Sequence, residues 1–382
     1  MPLAGLLLLL GAGLLLWIFD GPGGDNPARG SGGDRTSPPR TDLARAAALL
    51  RDAPALHYTG SLDLTGAQGG RSTRVDVIVS NPADALGTLR MPGSPALDYV
   101  GIDGKSFLRG NPDAWRSFGM AEKSKLLAEE PSMVQPGMFF SQDLATALAP
   151  PALAKTVAAE DVPDEQITLG EPVTAGDHTC TPIRAGDTTV CLSDERVNGA
   201  RFVDRISFSG GTAVLDIELM SRQEVQRFSA DFRSKLPLVR DSVDPRIKVT
   251  IQMLRRYKGT CAPTACVFTA RTTVTYLGST SEPDASKAVP VTYSWVVDRD
   301  GTPMELDPEC SGALLIKPGE SEDLSCTATG PSVQSGASQG NFHGKIYTSD
   351  RALAPKEYQR LVRLAADNSK KIAALSDPPT PR

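Results

Sequence analysis

The sequence predicts a mostly β, α+β fold: a curved, unclosed antiparallel sheet with capping helices, then a small β-sandwich and a C-terminal helix. Three observations carry this. Apolar and polar residues alternate through a succession of short runs from residue 55 to residue 109. After Val239, turn residues recur about every dozen positions with no helical period until Pro355. The six cysteines fall as three pairs of sequence neighbours, Cys180 with Cys191, Cys261 with Cys266 and Cys310 with Cys326.

In the first strand run Leu56, Tyr58, Leu62 and Leu64 alternate with His57, Thr59, Ser61 and Asp63, the mark of a half-buried strand. Val75, Val77 and Val79 repeat the pattern from Arg74 to Ser80, Asn81-Pro82 turns the chain, and strands follow at Ala85–Met91 and Leu97–Ile102. Asp103-Gly104 is a hairpin turn into Ser106-Phe107-Leu108. Ahead of these strands, Thr41 or Asp42 caps a short helix with Leu43, Ala46, Ala47 and Leu50 on one face, ended by Pro54.

From Trp115 to about Ala159 the spacing turns helical and is broken by Pro131, Pro136 and Pro150-Pro151, which predicts three short helices. Met133, Val134, Met138, Phe139 and Phe140 form an apolar cluster there, suited either to an ordinary core or to a tolerant ligand site. Strands resume at Gln166, and Cys180 and Cys191 staple a hairpin whose closed loop is worth roughly 3 kcal/mol in the chain-entropy model. Phe202–Phe208 and Ala213–Met220 form a further hairpin, with Leu215, Ile217 and Leu219 on one side, and a helix from Arg222 to Lys235 closes this part.

Strands at Ile247–Leu254, Cys266–Leu277, Val289–Val297, Ala313–Ile316 and Phe342–Thr348 then predict a sandwich of immunoglobulin-like type. The last helix, Pro355–Leu375, is expected to pack on the sandwich or between the domains. The expected organisation is an anchor at 1–19, a linker at 20–40, a first domain at 41–238, the sandwich at 239–350 and a helix with tail at 351–382.

The run from Leu3 to Phe19 carries no charge and reads as an uncleaved membrane anchor, with the Gly/Pro/Asp/Ser/Arg stretch behind it as a flexible tether. Arg29, Arg35 and Arg40 behind the run argue for a cytoplasmic body, whereas paired cysteines argue for an oxidising exterior; the cysteines decide for an extracytoplasmic body on a single-pass anchor. With no basic residue ahead of the run, an upstream natural start is a hypothesis that N-terminal sequencing tests. A net charge of −5 gives no basic field for nucleic acid.

Residues 55–115, with Tyr58-Thr-Gly-Ser-Leu62, Val75-Asp-Val77, Leu86-Gly-Thr-Leu89, Asp103-Gly-Lys-Ser-Phe-Leu-Arg-Gly110 and then Trp115, resemble the LolA-like lipoprotein superfamily and, within it, the actinobacterial LppX/LprG-type branch. The resemblance covers about residues 41–236. It implies an unclosed barrel whose helices cap an apolar cavity for acyl chains. This chain departs from the pattern in having no lipobox cysteine, an apolar run in place of the lipid anchor, and an appended second part.

Chemistry-bearing motifs are weak. Gly336-Ala-Ser338-Gln-Gly340 matches the nucleophile elbow in letters, but loop composition precedes it and a strand pattern follows it, so the strand–turn–helix context is missing. His57, His178 and His343 are isolated, Cys261 and Cys266 have four residues between them rather than two, and Asp298-Arg-Asp300-Gly301 lacks the remaining calcium-loop ligands. No catalytic residue, cofactor or metal is expected.

The sequence therefore reads as a binding protein rather than an enzyme, and the resemblance implies a lipid or glycolipid held through its acyl chains. The expected cavity residues are Tyr58, Leu62, Leu64, Val75, Val77, Val79, Leu215, Ile217 and Leu219, capped by Met133, Val134, Met138, Phe139 and Phe140. Its other partners are the membrane and a cell-envelope protein. The alternative is a surface scaffold or signalling regulator acting through protein contacts, with the first domain packed solid.

Overall fold

The computed structural model describes residues 38–63, 72–121, 124–128, 130–134, 138–139, 143–175, 178–197, 199–208, 213–253, 260–262, 265–276, 288–299, 302–306, 310–329 and 342–375. The expected anchor, most of the linker, Leu64, Phe140 and the Gly336–Gly340 motif lie outside them. Among the described residues no helix is long and apolar enough to cross a membrane.

The chain opens with α1 (Pro39–Asp52), whose first turn starts on proline and whose Leu43, Ala46, Ala47 and Leu50 are buried as their spacing requires. Its N-cap is Pro38, with no side-chain cap, so neither Thr41 nor Asp42 fills that role. Twelve strands then build one large mostly sequential antiparallel sheet: β1 (Ala55–Asp63), β2 (Ser72–Ser80), β3 (Ala85–Arg90), β4 (Ala96–Ile102), β5 (Lys105–Arg109), β6 (Ser132–Val134), β7 (Ile167–Leu169), β8 (Val173–Ala175), β9 (His178–Ala185), β10 (Thr188–Val197), β11 (Ala200–Phe208) and β12 (Ala213–Leu219). The order β6-β5-β4-β3-β2-β1-β12-β11-β10-β9-β7 leaves the curved sheet unclosed, with β8 pairing on β9. The long connection is the one between β6 and β7, and it carries helices.

Those helices are α4 (Leu144–Leu148) and α5 (Pro150–Ala158), preceded by α2 (Pro112–Ser117) and α3 (Ser124–Leu127). With α1 they cover one face of the sheet. Asn111 and Asp143 cap α2 and α4 through their side chains. The opposite face is covered by α6 (Arg222–Lys235), which starts with a Ser221–Glu224 capping box, by the 3-10 turn Leu236–Asp241, and by the C-terminal helix α7 (Pro355–Ala374). Helix α7 packs on α6 and the large sheet through Leu361, Ala365 and Ile372, rather than on the sandwich. Between it and the sheet, Asn368 donates to the buried Asp84 at 3.0 Å.

The later strands are β13 (Ile247–Met253), β14 (Thr260–Ala262), β15 (Ala265–Tyr276), β16 (Val289–Arg299), β17 (Thr302–Pro303), β18 (Ser311–Ile316), β19 (Ser321–Thr329) and β20 (Phe342–Asp350). They form two four-stranded sheets that share a core of Phe268, Trp295, Leu324 and Ile346, as expected of a small sandwich. Strand β19 is an addition to the sequence reading. Cys180–Cys191 and Cys310–Cys326 are disulfides, Cα atoms 5.4 and 4.6 Å apart, while Cys266 is disulfide-bonded and faces Cys261 across the β14–β15 hairpin.

Gly60 shows how closely the central strands run. It sits at φ +144°, and a Cβ there would lie 2.1 Å from the Val214 carbonyl oxygen of β12, so β1 passes a point that a side chain would block.

Candidate functional site

Strand alternation sends each strand's odd and even residues to opposite faces of the large sheet, so every expected cavity residue has a definite side. Tyr58, Val75, Val77, Val79, Leu215 and Ile217 do converge on the face under α1, α4 and α5, joined by Val134 and Phe139, and Leu62, Leu219 and Met138 pack at the margin of the same cluster. Met133 does not join them: with Ser132 and Val134 turned one way in β6, Met133 points the other and packs against the α6–α7 cluster.

Among the described residues the centre of this interior is closely packed. Tyr58, Val77, Val79 and Leu215 have no surface that water reaches, so neither solvent nor a water-sized void borders them. The helices above are rich in alanine, with Ala46, Ala47, Ala145, Ala154 and Ala158 all buried, which lets them sit close on the sheet. Two polar latches fix α4. The Tyr58 hydroxyl donates to the Leu148 carbonyl at 2.6 Å. Ala145 N–H donates to the Tyr99 hydroxyl at 3.1 Å, and Tyr99 reaches Ser106, which donates to the capping Asp143 at 2.8 Å. Burial pushes both tyrosine pKa values above their ordinary range.

Two adjoining cavities lie on the other face, beneath α6. A cavity of about 340 Å³ is walled by Ile78, Leu86, Leu219, Met220 and Phe228, with His57, Asp76, Glu218, Glu224, Arg227 and Asp231 around them. A second, of about 120 Å³, is more apolar and touches Val100, Phe107, Pro131, Leu238 and Val239. Both are lined by Leu86 and Gly87, so they adjoin at the middle of β3. The register explains the floor: Ile78 faces Leu86, Leu86 faces Val100, and Val100 faces Phe107, an apolar row across four strands.

At the wide mouth His57 sits between two carboxylates, Nε2 at 2.8 Å from Asp76 and Nδ1 at 3.1 Å from Glu218. Burial opposes the charged ring, but the hydrogen bonds and charges of Asp76 and Glu218 outweigh it, and the His57 pKa lies above its ordinary value. The sequence reading counted His57 as one of three isolated histidines; its partners come from β2 and β12, and only the register places them beside it. Among the described residues no group of His, Cys, Asp and Glu is arranged to hold a metal.

No family model and no curated protein matches the chain. Among solved structures, LprF from Mycobacterium bovis is similar over 48% of this chain and 91% of its own, at 12% identity and a TM-score of 0.30. MucB in its complex with MucA from Pseudomonas aeruginosa is similar over 85% of this chain and 97% of its own, at 9% identity and a TM-score of 0.25. MucB alone is similar over 80% of this chain and 97% of its own, at 10% identity and a TM-score of 0.24. At these scores the reading of the site rests on the chain's own residues.

Proposed function

We propose that the protein is a non-enzymatic, extracytoplasmic binding protein that takes the apolar chain of an amphipathic ligand into the groove beneath α6. One observation carries this: the groove is open and floored by the row Ile78, Leu86, Val100 and Phe107, whereas Tyr58, Val77, Val79 and Leu215 at the centre of the other face are fully buried. A space of about 340 Å³ is in the range of small-molecule sites. Each methylene that leaves water there contributes about 0.8 kcal/mol. The disulfides at Cys180–Cys191 and Cys310–Cys326 support an oxidising compartment.

Leu86 is the residue to change, because it lines both cavities and is only partly buried. Leu86→Trp should fill the junction, lower the affinity for dodecyl maltoside below its micelle concentration at least tenfold in calorimetry, and leave the melting temperature within a few degrees. Unchanged affinity in a folded variant rejects the groove.

A second reading, a scaffold that engages a protein partner, draws on the outer face of the sandwich. There Leu315, Tyr347 and Val296 are 61%, 51% and 47% exposed on neighbouring strands.

A further inference from the structure

Beside the groove mouth, on the same face of the large sheet, a shallow basin of about 520 Å³ is lined by Thr59, Gly60, Ser61, Arg74, Asp76, Thr88 and Arg90. It shares Asp76 with the groove, and Thr59 follows His57 along β1 by one strand repeat. The basin and the groove thus adjoin at Asp76.

Arg74 and Arg90 stand directly opposite each other in the β2–β3 ladder, and both are exposed. Facing residues of an antiparallel pair have their Cβ atoms about 5 Å apart, and like charges placed so destabilise the sheet. Among the described residues neither guanidinium has an ion-pair partner. Of the carboxylates on this face, Asp76 is held by His57 at 2.8 Å and Asp216 by Arg205 at 2.5 Å, Asp98, one strand beyond, lines the smaller cavity, and Asp63, opposite Ser72 at the end of β1, lies outside the basin's lining. What remains is two guanidinium groups over a floor of three hydroxyls, Thr59, Ser61 and Thr88. Guanidinium forks and hydroxyl donors are the groups that recognise a tetrahedral oxyanion.

We propose that this basin is an anion site for the phosphate headgroup of the amphiphile whose chain enters the groove, with Arg74 and Arg90 as its ligands. The inference rests on the groove reading and sharpens it by naming the headgroup. No covalent step is involved; the anion relieves the repulsion across the β2–β3 pair and is disfavoured at the groove mouth by Glu218, Glu224 and Asp231, which line the groove and not the basin, and this orients the ligand with its head toward Arg74.

Three probes separate the possibilities in calorimetry on the full chain: dodecyl phosphate, dodecyl maltoside and inorganic phosphate. Dodecyl phosphate is expected to bind about tenfold or more tightly than dodecyl maltoside. The double variant Arg74→Gln with Arg90→Gln should erase that advantage, leave dodecyl maltoside binding unchanged, and keep or raise the melting temperature, while Arg90→Lys should retain most of the advantage. Equal affinity of the wild type for the two dodecyl probes, or an advantage that survives in the double variant, overturns the headgroup assignment and leaves the groove standing. Inorganic phosphate that binds as tightly as dodecyl phosphate overturns it in favour of a free anion. Failure of both dodecyl probes removes the groove, and with it the headgroup.

Discussion

Val77→Trp is expected to unfold the protein or lower its stability by at least about 3 kcal/mol, read as a loss of the chemical-denaturation midpoint. Val77 is fully buried, faces Tyr58 across the β1–β2 ladder, and lies under helices held to the sheet by the Tyr58 and Tyr99 hydrogen bonds. An indole there must displace backbone or break those latches, and overpacking of a filled core costs on the order of 1–3 kcal/mol before any latch is lost. In a hollow interior the same change would leave the fold intact. A folded variant with unchanged midpoint therefore revives the interior as the ligand space.

The second large effect belongs to Asp84, 2% exposed at the junction of β2, β3 and α7. Burial is the main cause that pushes its pKa up, from 3.8 to about 7; the hydrogen bond from Asn368 and the charge of Lys371 pull it down, and Asp103 pushes it further up. The sign follows from linkage. The folded state holds the proton more tightly than the unfolded chain, so the contribution of Asp84 to stability is greatest below pH 4, falls as pH rises through the window from about 4 to about 7, and stays reduced above it. A shift of this size corresponds to about 4 kcal/mol. Asp84→Asn keeps an acceptor for the Asn368 amide and removes the charge. It should stabilise the protein at pH 8 by a few kcal/mol and by progressively less as pH falls from 7 to 4, measured as the difference from wild type in urea unfolding across that range. A variant less stable than wild type at pH 8 contradicts this account of the α7 contact.

The alternation that makes strands was legible because period 2 is a local signal, and β1 through β5, β11 and β12 appear close to where it put them. Strand β19 was not legible, since Leu324, Cys326 and Ala328 give its buried face too little apolar weight; only pairing with β15 makes it a strand. Residues that share a face were also readable, which is why Tyr58, Val77, Leu215 and Ile217 do meet. Whether the space they enclose is empty depends on how closely the alanine-rich α4 and α5 approach, a tertiary quantity with no local signature. The groove was missed because its parts come from β1, β2, β3, β12 and α6, and because its floor residues, Ile78 and Leu86, read as the polar-facing side of otherwise well-patterned strands. The seat of α7 depended on a single buried polar pair, Asp84 with Asn368, separated by most of the chain.

The central claim is that ligand enters the α6 side of the sheet and not the α1–α5 side, and methyl-resolved NMR of the full chain titrated with dodecyl maltoside tests it most directly. The account predicts chemical-shift changes at the methyl groups of Ile78, Leu86 and Met220, which line the groove, with those of Val77, Val79 and Leu215 unmoved. Shifts concentrated on Val77, Val79 and Leu215, with Ile78 and Leu86 unmoved, would contradict it.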